Sequence, residues 1–133
     1  MRVRIPISAG DLIDRITILR IKKKKIPDKK KRAHVGKELK ALDTVRARHP
    51  ELGKKAVRER QKLLHAQNLT LWTVEDRLRL LEAEKRFGKE FVALARRVYR
   101  TNDKRAKLKQ EINALAGSDL HEVKWFSVPE EEE

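Results

Sequence analysis

The chain has 133 residues, with 34 Lys and Arg against 20 Asp and Glu, for a formal net charge of +14. That length suits one domain, the 39% apolar fraction suffices for one core, and the 41% charged fraction favours long solvated helices over a sheet sandwich. With no cysteine, disulfides, thiolate catalysis and cysteine-held metals are excluded. No run of ~18 apolar residues marks a transmembrane span. Because Met1-Arg2-Val3-Arg4-Ile5-Pro6 lacks the apolar stretch of a signal peptide, a cytoplasmic protein is expected.

Val3, Ile5 and Ile7 alternate as in a short extended segment, which Pro6 would confine to an edge. Ser8 with Asp11 resembles a capping box, and Leu12, Ile13, Ile16, Leu19 and Ile21 recur at helical spacing, predicting a first helix over residues 9–25. Ile26-Pro27-Asp28 stops it, and Asp28 can cap the next helix. That second helix is expected over residues 29–48, with Val35, Leu39, Leu42 and Val45 on one face, and His49-Pro50 ends it. The third is long, residues 51–85, carrying Val57, Leu64, Leu71, Leu78 and Leu81, with Gly53 and Asn68-Leu69-Thr70 as places where it can break.

Phe87-Gly88 makes a turn, and a fourth helix over residues 89–116 presents Phe91, Leu94, Ala95, Val98, Ile112 and Leu115 before a Gly117 C-cap. Residues 123–128 suit a short strand, with Trp125 and Phe126 on opposite faces, pairing with residues 3–7. The expected architecture is all-α: a bundle of about four helices with a long antiparallel hairpin and a two-stranded pairing of the termini. It forms a single domain over residues 1–128, followed by an acidic disordered tail over residues 129–133.

Residues 1–49 hold 16 basic against 5 acidic side chains, a net +11. The densest run is Lys22, Lys23, Lys24, Lys25, Lys29, Lys30, Lys31 and Arg32, at the first helix–helix corner. It reads either as a solvated corner or as a patch contacting phosphates of nucleic acid, an anionic membrane or an acidic protein. No aromatic residue precedes Trp72, so nucleic acid is the less favoured partner. The five glycines are isolated, excluding phosphate-binding glycine loops, and His34, His49, His65 and His121 lack metal-ligand spacing.

The polar pattern of the third and fourth helices is more informative. Asn68, Trp72, Glu75, Arg79 and Glu82 succeed one another by +4, +3, +4, +3, on one helix face. On the fourth helix the face of Phe91, Ala95 and Val98 continues as Asn102, Arg105 and Lys109 before returning to Ile112. In an antiparallel hairpin turning at Phe87-Gly88, facing indices sum to about 175. That sets Glu75 near Tyr99 and Asn102, and Asn68 near Arg105 and Lys109. Asp14 and Arg15 lie nearest the apolar face of the first helix.

Inward polar groups cost ~1–3 kcal/mol each when unsatisfied. Either they pair with one another and fix helix register, or they converge on a ligand. In the second case Arg79, Arg105 and Lys109 would hold a carboxylate or phosphate, Glu75 or Glu82 would orient a hydroxyl, and Trp72 and Tyr99 would form a wall. Any enzyme built this way would need no cofactor, because Arg and Lys alone stabilise a dianion.

The segment Gly10-Asp11-Leu12-Ile13-Asp14-Arg15-Ile16-Thr17-Ile18-Leu19 resembles the opening G-E-L-I-D-K-I-T-I-L of a family of small uncharacterised bacterial proteins, a domain of unknown function. Asn68, Leu71-Trp72, Glu75-Asp76 and Arg79 match its central N-x-x-L-W-x-x-E-D-x-x-R pattern. Phe91, Leu94-Ala95-Arg96, Val98-Tyr99, Thr101-Asn102-Asp103 and Arg105-Ala106 match a later block, and Ile112-Asn113, Gly117-Ser118 and Glu122-Val123-Lys124 match its ending. Arg20, where the family often has Glu, and the basic run over residues 22–32 depart from the pattern.

Members of that family are often encoded beside glycosyltransferases of surface-polysaccharide or lipopolysaccharide assembly. The resemblance therefore implies a sugar phosphate or nucleotide sugar as ligand, in an accessory or enzymatic role, and carries over no catalytic residue. The competing expectation is a basic interaction module docking nucleic acid or an acidic protein, with the polar stripe as scaffold. A homodimer burying the hairpin face fits either.

Overall fold

The structure, a computed structural model, describes residues 1–128. It has four α-helices: α1 (Ala9–Lys25), α2 (Lys29–Ala47), α3 (Lys55–Ala83) and α4 (Lys89–Ala116), with a 3₁₀ turn at Pro50–Gly53 before α3. The expected all-α bundle and long hairpin are present. The break at Gly53 occurs, whereas α3 runs uninterrupted through Asn68-Leu69-Thr70. The expected acidic tail over residues 129–133 lies outside the described residues.

Local chemistry sets the boundaries. The Ser8 hydroxyl accepts from the Asp11 N–H at the start of α1, and the Asp28 carboxylate accepts from the Lys31 N–H at the start of α2. Pro50 opens the 3₁₀ turn, where its missing N–H costs nothing. Helix α3 ends with Lys85 in the left-handed region (φ 54°) and the Arg86 N–H bonded to the Leu81 carbonyl. Helix α4 ends the same way at Gly117 (φ 69°), with Ser118 bonded to Asn113.

Leu12, Ile13, Ile16 and Leu19 of α1 form the core with Leu39 of α2, Leu52 of the 3₁₀ turn, Val57 and Leu64 of α3, and Ile112 of α4. Each such side chain contributes ~1.5–3 kcal/mol on burial. Helix α1 lies antiparallel to α4, as the pairs Gly10–Asn113, Asp11–Lys109 and Asp14–Arg105 require.

The hairpin outruns this core. At ~1.5 Å per residue, α1 is ~26 Å long and α4 ~42 Å, so the turn end of α3 and α4 projects as a two-helix arm. Val74 and Leu81 are the buried apolar residues there, with Leu78, Phe91, Leu94 and Val98 half-buried between the helices. Phe87 meets Phe91 edge to face at 5.3 Å across the turn.

The expected pairing of the termini is not formed, and no strand occurs among the described residues. Val3 and Ile5 are 73% and 63% exposed, and Val123 and Trp125 are 85% and 79% exposed. Two short strands with no third strand or helix beneath them are only marginally stable in water, and of the first segment's apolar residues it is Ile7 that packs against the core.

Candidate functional site

The α1–α4 interface begins with the orphan N–H groups of α1. Ala9 donates to Ser118 Oγ (3.3 Å), Gly10 to Asn113 Oδ1 (2.6 Å) and Asp11 to Ser8 Oγ (3.1 Å). The far end of α4 thus helps to cap α1, and the close approach needs a glycine. A Cβ at Gly10 would sit 2.5 Å from the Lys109 carbonyl oxygen. With its first three N–H groups occupied, the positive end of α1 is committed to the protein.

One and two turns along, the polar groups meet. Asp14, 6% exposed, accepts from Arg105 Nη2 (2.6 Å) and from Asn68 Nδ2 (2.9 Å). Asn68 Nδ2 also donates to Thr17 Oγ1 (2.8 Å), and that hydroxyl donates to the Asp14 carbonyl (2.7 Å). Arg105 Nη1 donates to Asn102 Oδ1 (2.8 Å), while Arg105 Nε is buried without a partner among the described residues. Three helices therefore share one ion pair and its hydrogen bonds.

Beside it, Lys109 Nζ reaches Asp11 Oδ1 (2.8 Å) and Glu122 Oε2 (2.6 Å), and Lys124 Nζ reaches Asp103 Oδ1 (3.2 Å). These last contacts fold the chain after α4 back along the helix. They enclose a cleft of about 240 Å³ lined by Asn102, Arg105, Ala106, Lys109, Glu122 and Lys124.

Burial pushes the Lys109 ammonium toward a lower pKa, but its hydrogen bonds to Asp11 and Glu122 outweigh this, and the net shift is upward. Burial likewise pushes the Asp11 carboxyl up, yet the Lys109 bond and charge leave it lowered overall. The signs define a stability window. The Asp11 contribution is full above its ordinary value of 3.8 and is lost as pH falls through the lowered native value. The Lys109 contribution is full below 10.5 and is lost as pH rises through the raised one. Urea unfolding across pH should show Lys109→Met flattening both limbs, and an unchanged acid limb would refute the pairing.

Of the residues the sequence singled out, Asp14, Asn68, Asn102, Arg105 and Lys109 are brought together. Trp72 is half-buried on α3, and Glu75, Arg79, Glu82 and Tyr99 are exposed. The inward stripe on α3 thus ends one turn after Asn68, and the buried positions of α3 beyond it are Val74 and Leu81 instead. Tyr99 carries Arg100 against its ring at 5.9 Å rather than forming a wall of the cleft.

The hairpin register also differs from expectation. Arg77 pairs with Glu90 and Arg60 with Glu111, index sums of 167 and 171 rather than 175. Asn68 falls opposite positions near 101 and reaches Arg105 only through Asp14. Sequence reasoning missed Asp11, Thr17, Asn113, Ser118, Glu122, Lys124 and Asp103 as participants. Several lie in the matched blocks, but nothing local says what they touch. Among the described residues no group of three His, Asp or Glu side chains is placed to hold a metal ion. None of their helices is long and apolar enough to cross a membrane.

The class is thus a small all-α protein in which polar residues converge where α1, α3 and α4 meet. Residues 1–131 match the Family of unknown function (DUF6165), and the chain belongs to that family. No curated protein and no solved structure matches it.

Proposed function

We propose that this chain binds a small anionic ligand, of the sugar-phosphate or nucleotide-sugar class, in the cleft of Asn102, Arg105, Lys109 and Lys124. The role would be accessory or enzymatic in surface-polysaccharide synthesis. One observation carries the reading: Arg105, Lys109 and Lys124 line a single cleft, and Glu122, the carboxylate bonded to Lys109 there, lies on chain outside any helix. Asp11 and Asp14 are fixed on α1, so an incoming anion would displace Glu122 alone.

The volume narrows the class. About 240 Å³ is just under the ~300–1,000 Å³ of most small-molecule sites, which favours a sugar phosphate over a nucleotide sugar. The ligand class itself comes from the family resemblance.

Thermal shift with glucose 1-phosphate and UDP-glucose tests the reading. A ligand at a hundredfold excess over Kd should stabilise by ~2.7 kcal/mol. Lys124→Gln, which removes one exposed ion pair, should abolish the shift, and Glu122→Gln should enlarge it by removing the internal competitor. A shift unaltered by both, or reduced by Glu122→Gln, would place binding elsewhere.

The second reading, polyanion docking on the α1–α2 corner, is supported by Lys23, Lys24, Lys25, Lys29, Lys30, Lys31 and Arg32 all being exposed. It requires steep salt dependence and loss on charge reversal at Lys23, Lys24, Lys29 and Lys30.

A further inference from the structure

A second groove, sharing no residue with the cleft, opens where α1, α2 and α3 meet. It encloses about 490 Å³ and is lined by Arg20, Arg46, Arg58, Gln61, Lys62 and His65. We propose that it binds a small molecule carrying a diphosphate or longer phosphate chain.

Placement is the first ground. Arg58, Lys62 and His65 are spaced by +4 and +3 on α3, so they share one face. Arg46 comes from α2 and Arg20 from α1. Gln61, 8% exposed, uses its Oε1 to accept from Arg46 Nη1 at 3.2 Å, which fixes that guanidinium at the groove floor. The volume lies within the ordinary range for small-molecule sites, ~300–1,000 Å³.

Charge is the second ground. Four cations, Arg20, Arg46, Arg58 and Lys62, line the groove, and Asp43 is the carboxylate that touches any of them among the described residues. It does so at 3.5 and 3.6 Å, long enough to leave the guanidinium forks of Arg20 and Arg46 with donors to spare. The side chains of Arg58, Lys62 and His65 make no hydrogen bond or ion pair with the described residues. The contrast with the cleft is sharp, because there every cation is already matched by a carboxylate.

The excess sets the ligand. One phosphate monoester carries only about −1.5 to −2, less than four cations offset by one Asp, so linked phosphates balance the groove better than one. Three arginines from three helices offer planar forks suited to phosphate oxygens spread over several ångströms. The lining holds no Trp, Tyr or Phe, so it lacks the stacking platform that single-stranded nucleic acid uses.

Titration calorimetry of the full chain with inorganic pyrophosphate, at a constant ionic strength of about 150 mM, is the test. Pyrophosphate should bind, sulfate at the same ionic strength should not compete, and Arg58→Gln and Lys62→Gln should each weaken binding about tenfold. Both side chains are exposed and unpaired, so both variants should fold, which circular dichroism checks. Reversal of Lys23, Lys24, Lys29 and Lys30 should leave binding unchanged.

No heat at that ionic strength overturns the proposal, as do Arg58 and Lys62 variants that bind like the parent. Equal weakening by the corner reversal would show diffuse polyanion attraction instead. Displacement of pyrophosphate by single-stranded RNA at lower concentration would make the surface a nucleic-acid contact, and would overturn it as well.

Discussion

Asp14→Ala should destabilise the protein by about 3 kcal/mol, the largest effect expected of any single polar substitution. Breaking a buried ion pair by removing one partner typically costs ~3–5 kcal/mol, because the other charge is left without compensation. The lower end applies here, since the Arg105 side chain keeps 20% of its exposure and can turn partly to solvent. Asn68 would lose one of its two acceptors and keep Thr17. In a chain of this size the change corresponds to roughly 10–15 °C in Tm.

Two companion variants separate charge from space. Asp14→Asn keeps an acceptor for Arg105 or Asn68 and should cost less, about 1–2 kcal/mol. Asp14→Leu with Arg105→Met should cost less than either single change, since no charge is then stranded. Urea midpoints at constant m-value decide the matter. An Asp14→Ala cost below ~1 kcal/mol would mean that solvent screens the pair and that it does not fix the register of the three helices.

The same network shows what the sequence can and cannot disclose. The four helices are legible because each signal is local: Ser8 and Asp28 cap through bonds three residues away, and Gly117 adopts the φ that ends α4. On α4 the inward turn of Asn102, Arg105 and Lys109 is also legible, because apolar residues resume on that face at Ile112. The matching pattern on α3 misleads, although its spacing is equally regular. Periodicity identifies a face but not what packs against it: beyond Trp72 the buried positions of α3 are Val74 and Leu81, while Glu75, Arg79 and Glu82 are exposed. Lys109 meets Asp11 across 98 positions of chain, and Asp14 meets Arg105 across 91. Nothing near those residues in sequence says which carboxylate each cation finds. The second groove escapes for the same reason, since its cations come from three helices and look, one helix at a time, like solvated surface.

Gly10→Ala should cost about 3 kcal/mol, although the same change on open helix surface stabilises by up to ~1 kcal/mol. The added Cβ would meet the Lys109 carbonyl oxygen at 2.5 Å and Asn113 Oδ1 at 3.0 Å. The first is backbone and cannot rotate away, so α1 and α4 must separate along their contact. Overpacking of this kind costs ~1–3 kcal/mol. Separation also stretches the Gly10–Asn113 bond, now 2.6 Å, and leaves a side chain only 1% exposed short of a partner, a further ~1–3 kcal/mol. Gly36→Ala supplies the control within the same chain. Gly36 lies inside α2 with nothing within 4 Å of its would-be Cβ, so that variant should gain about 0.5–1 kcal/mol. Opposite signs for the two alanines in one denaturation series would establish that Gly10 is held by the approach of α4. If both stabilised, the contact between α1 and α4 would have to be looser than 2.6 Å, and the cleft built on it would lose its fixed wall.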